Sequence, residues 1–488
     1  MTFKATSRVH AWIDGTEGEH AGTLLPIVNP ATAQTVSQLV ESDAGVVDAA
    51  VRAAAAAFER GSWRKMPVEG RAVVLRKVAD LIEQNAAELA WLECLASGIP
   101  MQHLRRGQIP RAAQNFRFFA EVIGQQSGQL WDQNPKLLTY VTREPVGVAA
   151  LLGPWNAPLA LTSMKIAAAI AFGNSCVAKP SEVTPLAVAR LMTLLQEAGL
   201  PDGVVNLVNG RGPVTGAALV AHRQVDLVSF TGGTATGRAI SESAGRGLKP
   251  LSLELGGKSA CIVFDSADLE RALEGALTGI FSNNGQQCLA GSRILLQRGI
   301  ADRFLERFVE RAKALRIGDP MQPETQIGPL AFEAHLERVL GFVEVARADG
   351  CTLLAGGHRV DALRPGCYFE PTVVLAPSNA ARVCQEEIFG PFATFQIFDT
   401  AEQALTIAND SDFGLVAYVW SEHLPTVQQC TRGIRAGVVW VNTPMSRELR
   451  APFGGVKDSG YGREGGQSSM HFYTFEKTIS LAQGDLSP

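Results

Sequence analysis

Val225-Asp-Leu-Val-Ser-Phe-Thr-Gly-Gly-Thr-Ala-Thr-Gly237 reads as a strand, a tight glycine turn and the opening of a helix. The apolar run Val225–Phe230 has the length and continuity of a strand covered on both faces. The glycines that follow supply the bend. The small residues after them start a helix whose free N–H groups and positive end can face a pyrophosphate. A second loop, Asn209-Gly-Arg-Gly-Pro-Val-Thr-Gly216, comes close to G-x-G-x-x-G but has one residue too many. Pro213 also removes a donor beside its second glycine, so this loop reads as a helix entry.

Working outward, the same alternation continues in both directions. Val146–Leu152 and Ser175–Lys179 are buried-strand runs separated by a helical pattern over 160–172, and Pro185–Gly199, Val204–Leu207 and Val214–His222 extend it. A second alternating set occupies 259–442. Strands alternating with helices imply parallel sheets with crossover helices, hence a doubly wound α/β architecture. Upstream, short β-like pieces over 8–40 precede helical patterns at Asp43–Phe58, Val68–Leu95 and from Pro110 to Gly124. Leu137–Thr142 reads as a strand, and the tail from Ser468 to Leu481 regains β character.

A chain of 488 residues exceeds one core and implies two or three domains. A formal charge of −4 leaves no basic footprint, which argues against nucleic acid as a partner. The eight cysteines (94, 176, 261, 288, 351, 367, 384 and 430) lack C-x-x-C pairs and metal-spaced histidines, so neither a disulfide framework nor a zinc site is expected. The apolar stretch 157–172 is too short to span a bilayer and carries Lys165, and the N-terminus lacks an apolar signal run. A cytoplasmic protein with reduced thiols, not bound to membrane, is the expectation.

Chemistry concentrates around Phe281-Ser-Asn-Asn-Gly-Gln-Gln-Cys-Leu-Ala-Gly-Ser-Arg293, where Cys288 sits at a loop bend among small residues. A single cysteine is more often buried filler than nucleophile. Its company changes that reading: Gly153-Pro-Trp-Asn156, Glu254-Leu-Gly-Gly-Lys258, Glu386-Glu-Ile-Phe-Gly-Pro391 and Pro452-Phe-Gly-Gly-Val-Lys-Asp-Ser-Gly460. In this order, over nearly the whole chain, these motifs resemble the aldehyde dehydrogenase superfamily. The resemblance implies a Rossmann-type NAD domain (1–125 and 146–256), an α/β catalytic domain (257–457) and a small β oligomerisation arm (126–145 and 468–488) joining a homodimer or homotetramer.

It further implies that Cys288 attacks the aldehyde, that Asn156 and the Cys288 N–H hold the oxyanion, and that Glu254 activates the water releasing the thioester. On the residues alone, Asn156 could be a turn residue and Glu254 an ion-pair partner of Lys258. Gly256 and Gly257 are expected to clear space around the Glu254 carboxylate. Lys179 and Glu182, otherwise simply solvated charges, would contact the adenosine ribose, with Lys179 also counted in the catalytic set. That carboxylate favours NAD over a 2′-phosphate. Trp155, Gly232, Gly233, Leu255, Glu387 and Phe389 complete the implied cofactor contacts. Gly233 departs from the serine usual there. None of the eight histidines lies in a motif, which disfavours a thiol hydrolase.

Ile109–Ala120 and Val441–Arg450 resemble the muconic-semialdehyde dehydrogenases of aromatic catabolism. Phe230–Arg238 and Ala290–Arg293 point within that group to the 5-carboxymethyl-2-hydroxymuconate semialdehyde type. Arg111 and Arg447 would then grip a substrate carboxylate, the alternative being surface or interface ion pairs. Arg105, Arg106 and Arg450 are weaker candidates. On this reading, truncating Arg447 should leave a neutral aldehyde almost untouched. The alternatives are a 2-hydroxymuconic or 2-aminomuconic semialdehyde dehydrogenase, a broad-specificity enzyme, a CoA-acylating enzyme, or a non-catalytic binding homologue.

Overall fold

The structure, a computed structural model, describes residues 3–483. Its first large sheet contains five parallel strands, Val148–Leu152, Ser175–Lys179, Val205–Leu207, Leu227–Thr231 and Leu251–Glu254. Their spatial order, with the third of these at one side and the fifth at the other, is 3-2-1-4-5, the doubly wound order of dinucleotide-binding folds. Antiparallel strands close both sides: Ala11–Ile13 pairs with Leu207, and Gly460–Tyr461 pairs with Leu253 and Glu254. Successive strand residues point to opposite faces. Ala149, Leu151, Cys176 and Ala178 enter one core, while Val148, Ala150, Leu152 and Val177 enter the other. Coverage on both faces is why these strands carry no polar alternation.

The second sheet has seven strands in the order 352–355, 372–375, 392–398, 293–297, 260–263, 416–420 and 438–441, all parallel except the first pair. Cys261 and Val263 again face a different core from Ala260 and Ile262. A third sheet of Gln129–Asn134, Leu137–Pro145 and Thr474–Ala482 is antiparallel and exposes Leu130, Trp131, Phe475 and Leu481.

Local departures from the sequence expectation have local causes. The single helix expected over Val68–Leu95 is two, Val68–Gln84 and Ala86–Ser97. Between them the Asn85 side chain takes the Leu81 carbonyl at 2.8 Å, an asparagine competing with the helix ladder. The C-terminal β tail starts late. Gly466–Tyr473 is a helix whose Met470 and Tyr473 are buried in the same hydrophobic cluster as Ala149 and Leu151, and the strand begins at Thr474. The arm expected from 468 therefore starts six residues later, and its last five residues, 484–488, lie outside the described residues. The loop over 209–216 forms one turn, Gly212–Gly216, that opens the helix Ala217–Ala221, as expected.

Candidate active site

A cavity of about 900 Å³ opens at the C-terminal ends of the 148–152, 175–179, 227–231 and 251–254 strands. This is where the strand order reverses and where open α/β sheets bind ligands. Gly232 and Gly233 border it ahead of the helix Thr234–Gly245, whose first N–H groups are free to receive an anion. A Cβ on Gly232 would lie 2.3 Å from the Phe230 ring, so only glycine fits there. At Gly233 nothing lies within 4 Å of an added Cβ, so the absent serine is not a matter of crowding. Gly212, Pro213 and Gly216 line the same cavity, so both glycine loops border it.

Lys179 is buried and bonds the Pro180 carbonyl at 3.0 Å, with Glu182 3.8 Å away. Burial lowers its pKa, opposed by Glu182 and Glu41. Lys179, Glu182 and Leu255 all line the cavity. Among the described residues the groups around the Lys179 ammonium are the Pro180 carbonyl, Glu182 and Glu41. At the other end, Trp155 and Phe389 meet edge to face at 5.2 Å, closed off by Phe332 and His335. Glu387 accepts from the Gly257 N–H at 2.8 Å, and burial raises its pKa to about 7. A pocket with a free helix N-terminus, a paired lysine and carboxylate, and a flat aromatic end suits a dinucleotide such as NAD.

Cys288, Glu254 and Asn156 meet at the inner end of this cavity. The Asn156 amide donates to the Gln286 carbonyl at 2.9 Å, two residues before the thiol. One N–H of that amide is thereby used and one remains. The turn before Cys288 holds Asn283 and Asn284 at φ 55° and 57°, a left-handed region asparagine tolerates better than most residues. Side-chain amides fix it. Asn283 donates to the carbonyls of Asn156 and Gln286, Gln108 donates to Asn283 at 3.0 Å, and Asn284 donates to Gly98 and Pro329. Gln286 accepts from Ala331 N at 3.0 Å. Sequence reasoning passed over these amides because their partners are mostly backbone atoms distant in the chain.

Burial pushes the Cys288 thiol up to about 12, reinforced by Glu387 and Glu254 and opposed by Arg447. The resting thiol is therefore protonated at neutral pH. Glu254 ends its strand with Oε1 buried and without a partner. Its pKa is raised by burial and then by Glu464, while Lys165, Arg447 and Arg463 pull it down. A carboxyl raised in this way holds a proton more readily than a solvated one, as a general base requires. The ion pair with Lys258 does not form: the Lys258 ammonium is also buried and without a hydrogen-bond partner. Nor do Gly256 and Gly257 make the room beside Glu254. A Cβ at Gly256 would strike Glu387 at 2.4 Å and one at Gly257 the Cys288 carbonyl at 2.5 Å. The glycine against the Glu254 carboxylate is Gly454, where a Cβ would lie 2.6 Å from Oε1. Behind Glu254, Lys165 pairs with Glu464 at 2.8 Å and donates to Ser229 at 2.9 Å. Lys165 had read only as a charge interrupting an apolar stretch.

Arg447 carries its Nε and Nη2 buried and without hydrogen-bond partners, its guanidinium 4.1 Å over the Phe453 ring. Burial lowers its pKa, and Glu464, Glu254 and Cys288 oppose that shift. Arg111 is held by Nε to Asn115 Oδ1 at 2.9 Å, and burial and then Arg447 lower its pKa to about 9. Neither forms an ion pair with a carboxylate among the described residues, so the surface ion-pair alternative has no partner. Arg105 and Arg106 are exposed, and Arg450 pairs with Glu448 in solvent. His335 donates Nε2 to the Phe389 carbonyl at 2.8 Å, and burial drops its pKa to about 4. It is thus committed elsewhere and does not serve as a base for Cys288.

The sequence pattern of the aldehyde dehydrogenase family matches residues 16–479. The chain is 44% identical over 464 residues to 5-carboxymethyl-2-hydroxymuconate semialdehyde dehydrogenase from Escherichia coli, covering 94% of this chain and 98% of that protein. It is 41% identical over 484 residues to betaine aldehyde dehydrogenase from Cereibacter sphaeroides, covering 99% of each. The structure superposes with a TM-score of 0.94 on the NAD+ complex of an aldehyde dehydrogenase from Bacillus cereus, 39% identical, covering 97% of this chain and 96% of that one.

Proposed function

The chain belongs to the aldehyde dehydrogenase family and is an NAD-dependent aldehyde dehydrogenase, and we propose that its aldehyde is a semialdehyde bearing carboxylates, of the 5-carboxymethyl-2-hydroxymuconate class. An aldehyde has no leaving group, so the carbonyl must first become a tetrahedral adduct, and Cys288 is the nucleophile that makes it. Its proton leaves to solvent before the attack, and Arg447, which opposes the rise of its pKa, favours the thiolate. The remaining N–H of Asn156 and the Cys288 N–H receive the oxyanion as it develops. NAD, when bound, supplies the acceptor for the hydride that leaves the adduct. Glu254 then draws a proton from water that attacks the thioester on Cys288, and the acid departs.

The observation favouring a carboxylate substrate is Arg447, a buried guanidinium close enough to Cys288 to favour its thiolate, with Arg111 near Arg447 and neither ion-paired with a carboxylate among the described residues. Guanidinium forks match carboxylates in a bidentate way. They would repel the quaternary ammonium of betaine aldehyde, the substrate named for the second relative. A 2-hydroxymuconic or 2-aminomuconic semialdehyde would satisfy the same arginines. The unit boundaries (1–125 with 146–256; 257–457), the cofactor roles of the residues lining the cavity, and a cytoplasmic location belong to the same proposal. So does an oligomerisation role for the three-stranded arm, whose Leu130, Trp131, Phe475 and Leu481 are exposed. The test is the initial rate of NADH formation with 5-carboxymethyl-2-hydroxymuconate semialdehyde, betaine aldehyde and benzaldehyde. A kcat/KM preference of more than about tenfold for the dicarboxylate supports the reading. Comparable rates on all three refute it.

A further inference from the structure

We propose that His335 and Arg338 are positioning residues that hold the cofactor-facing segment Glu387–Phe389 by capturing its three successive carbonyls. The segment lies between the short helix Arg382–Gln385 and the strand Phe392–Phe398, outside any sheet ladder. Arg338 donates Nη2 to the Glu387 carbonyl at 2.6 Å and Nη1 to the Ile388 carbonyl at 2.9 Å. His335 donates Nε2 to the Phe389 carbonyl at 2.8 Å. The two donors are three residues apart on the helix Glu333–Ala348 and so share a face.

That helix is itself fixed. Leu336, Val339 and Phe342 are buried in one cluster with Ile388 and Phe392, so helix and segment are packed against each other as well as bonded. Phe389 has φ 62°, a left-handed conformation disfavoured for an aromatic L-residue. Such a residue persists only where its surroundings over-determine it. Here the surroundings are the His335 bond at its carbonyl and the Trp155 ring packed against its own. The neutral His335 ring places its hydrogen on Nε2, as a carbonyl acceptor demands.

Only part of this shape comes from the side chains that face the cavity. Among the described residues the Glu387 carboxylate has one hydrogen bond to the protein, from Gly257 N, and the Phe389 ring has aromatic contacts to Trp155 and His335. Their aim is set through the backbone by His335 and Arg338, which themselves also line the cavity. The inference rests on the reading of Glu387 and Phe389 as cofactor residues.

The test is equilibrium binding of NADH, followed by its fluorescence, to the full-length enzyme and to His335→Phe, His335→Gln, Arg338→Met, Arg338→Lys and Glu387→Ala. His335→Phe keeps an aromatic ring and removes the donor, and His335→Gln restores one. His335→Phe and Arg338→Met are each expected to weaken NADH by about three- to tenfold, the effect of one or two lost hydrogen bonds. His335→Gln and Arg338→Lys are expected to recover most of that affinity. The aldehyde KM at saturating NAD stays unchanged. Full NADH affinity in His335→Phe and Arg338→Met beside a weakened Glu387→Ala overturns the clamp. So does a His335→Gln variant as weak as His335→Phe. Full affinity in Glu387→Ala overturns both the clamp and the reading beneath it. Arg338 is solvent-exposed, so its variants read out even where a His335 variant fails to fold.

Discussion

Replacing Arg111 and Arg447 singly by methionine should separate two roles that look alike in the sequence. Each guanidinium can give a carboxylate a charge-assisted bond worth about 1.5–3 kcal/mol, hence a loss of roughly 10- to 150-fold in kcat/KM for a dicarboxylate semialdehyde. For Arg111→Met the loss should stop there, because Arg111 reaches the reaction centre only through Glu464 and Arg447. Arg447 is different. It opposes the upward shifts of both Cys288 and Glu254, so its removal sends both pKa values higher. The alkaline-rising limb of the pH profile should therefore move to higher pH even with a neutral aldehyde such as propanal. This revises the expectation that a neutral aldehyde would be indifferent to Arg447. The assay is kcat/KM against pH for both aldehydes in the three proteins. Equal losses on both aldehydes in Arg111→Met would refute the carboxylate grip. An unmoved propanal profile in Arg447→Met would refute the electrostatic role.

Three further outcomes follow from the same geometry. Alkylation of Cys288 by iodoacetamide in the cofactor-free enzyme should climb with pH up to about 10 without levelling, because burial holds the thiol near 12; a plateau below pH 8 would contradict this. Glu254→Gln should lower kcat by about 10²–10⁴ while leaving one turnover of NADH formation per site, seen as a burst, and a variant without a burst would move Glu254 to the first half-reaction. Gly233→Ser should fold normally, since its Cβ meets nothing within 4 Å, and should tighten NADH by about twofold to tenfold through one added hydroxyl bond; a lowered melting temperature would show hidden crowding.

The sheets were legible because burial on both faces writes itself into unbroken apolar runs, as in Val148–Leu152 and Ser175–Lys179. Cys288, Glu254 and Asn156 were legible through their motifs, and the structure brings all three to one cavity. What supports them was not. The bonds of Arg338 and His335 end on carbonyls, which every residue has, so the chain carries no trace of them. Lys165 and Glu464 are 299 positions apart, and pairing between them is a property of the fold rather than of either neighbourhood. The misassigned glycines show the same limit: Gly256 and Gly257 adjoin Glu254 in sequence, but the carboxylate turns toward Gly454. At the C-terminus, His471-Phe-Tyr has β-forming residues, yet burial of Met470 and Tyr473 against the core beneath the first sheet makes it helical.

The turn ahead of the nucleophile also bears on how the enzyme ages. Asn284-Gly285 is a peptide of the type that cyclises readily to a succinimide when glycine leaves the backbone free to fold back on the amide. Here the Asn284 amide donates to Gly98 and Pro329, accepts from Gly328 N at 2.8 Å, and is wholly buried. Ring closure would have to break all three bonds, so the native protein suppresses it. Once unfolded, the same dipeptide becomes the weak point, and refolding would bring an aspartate carboxylate against two carbonyl oxygens. Storage life is then set by how often the chain unfolds rather than by the intrinsic chemistry of the dipeptide.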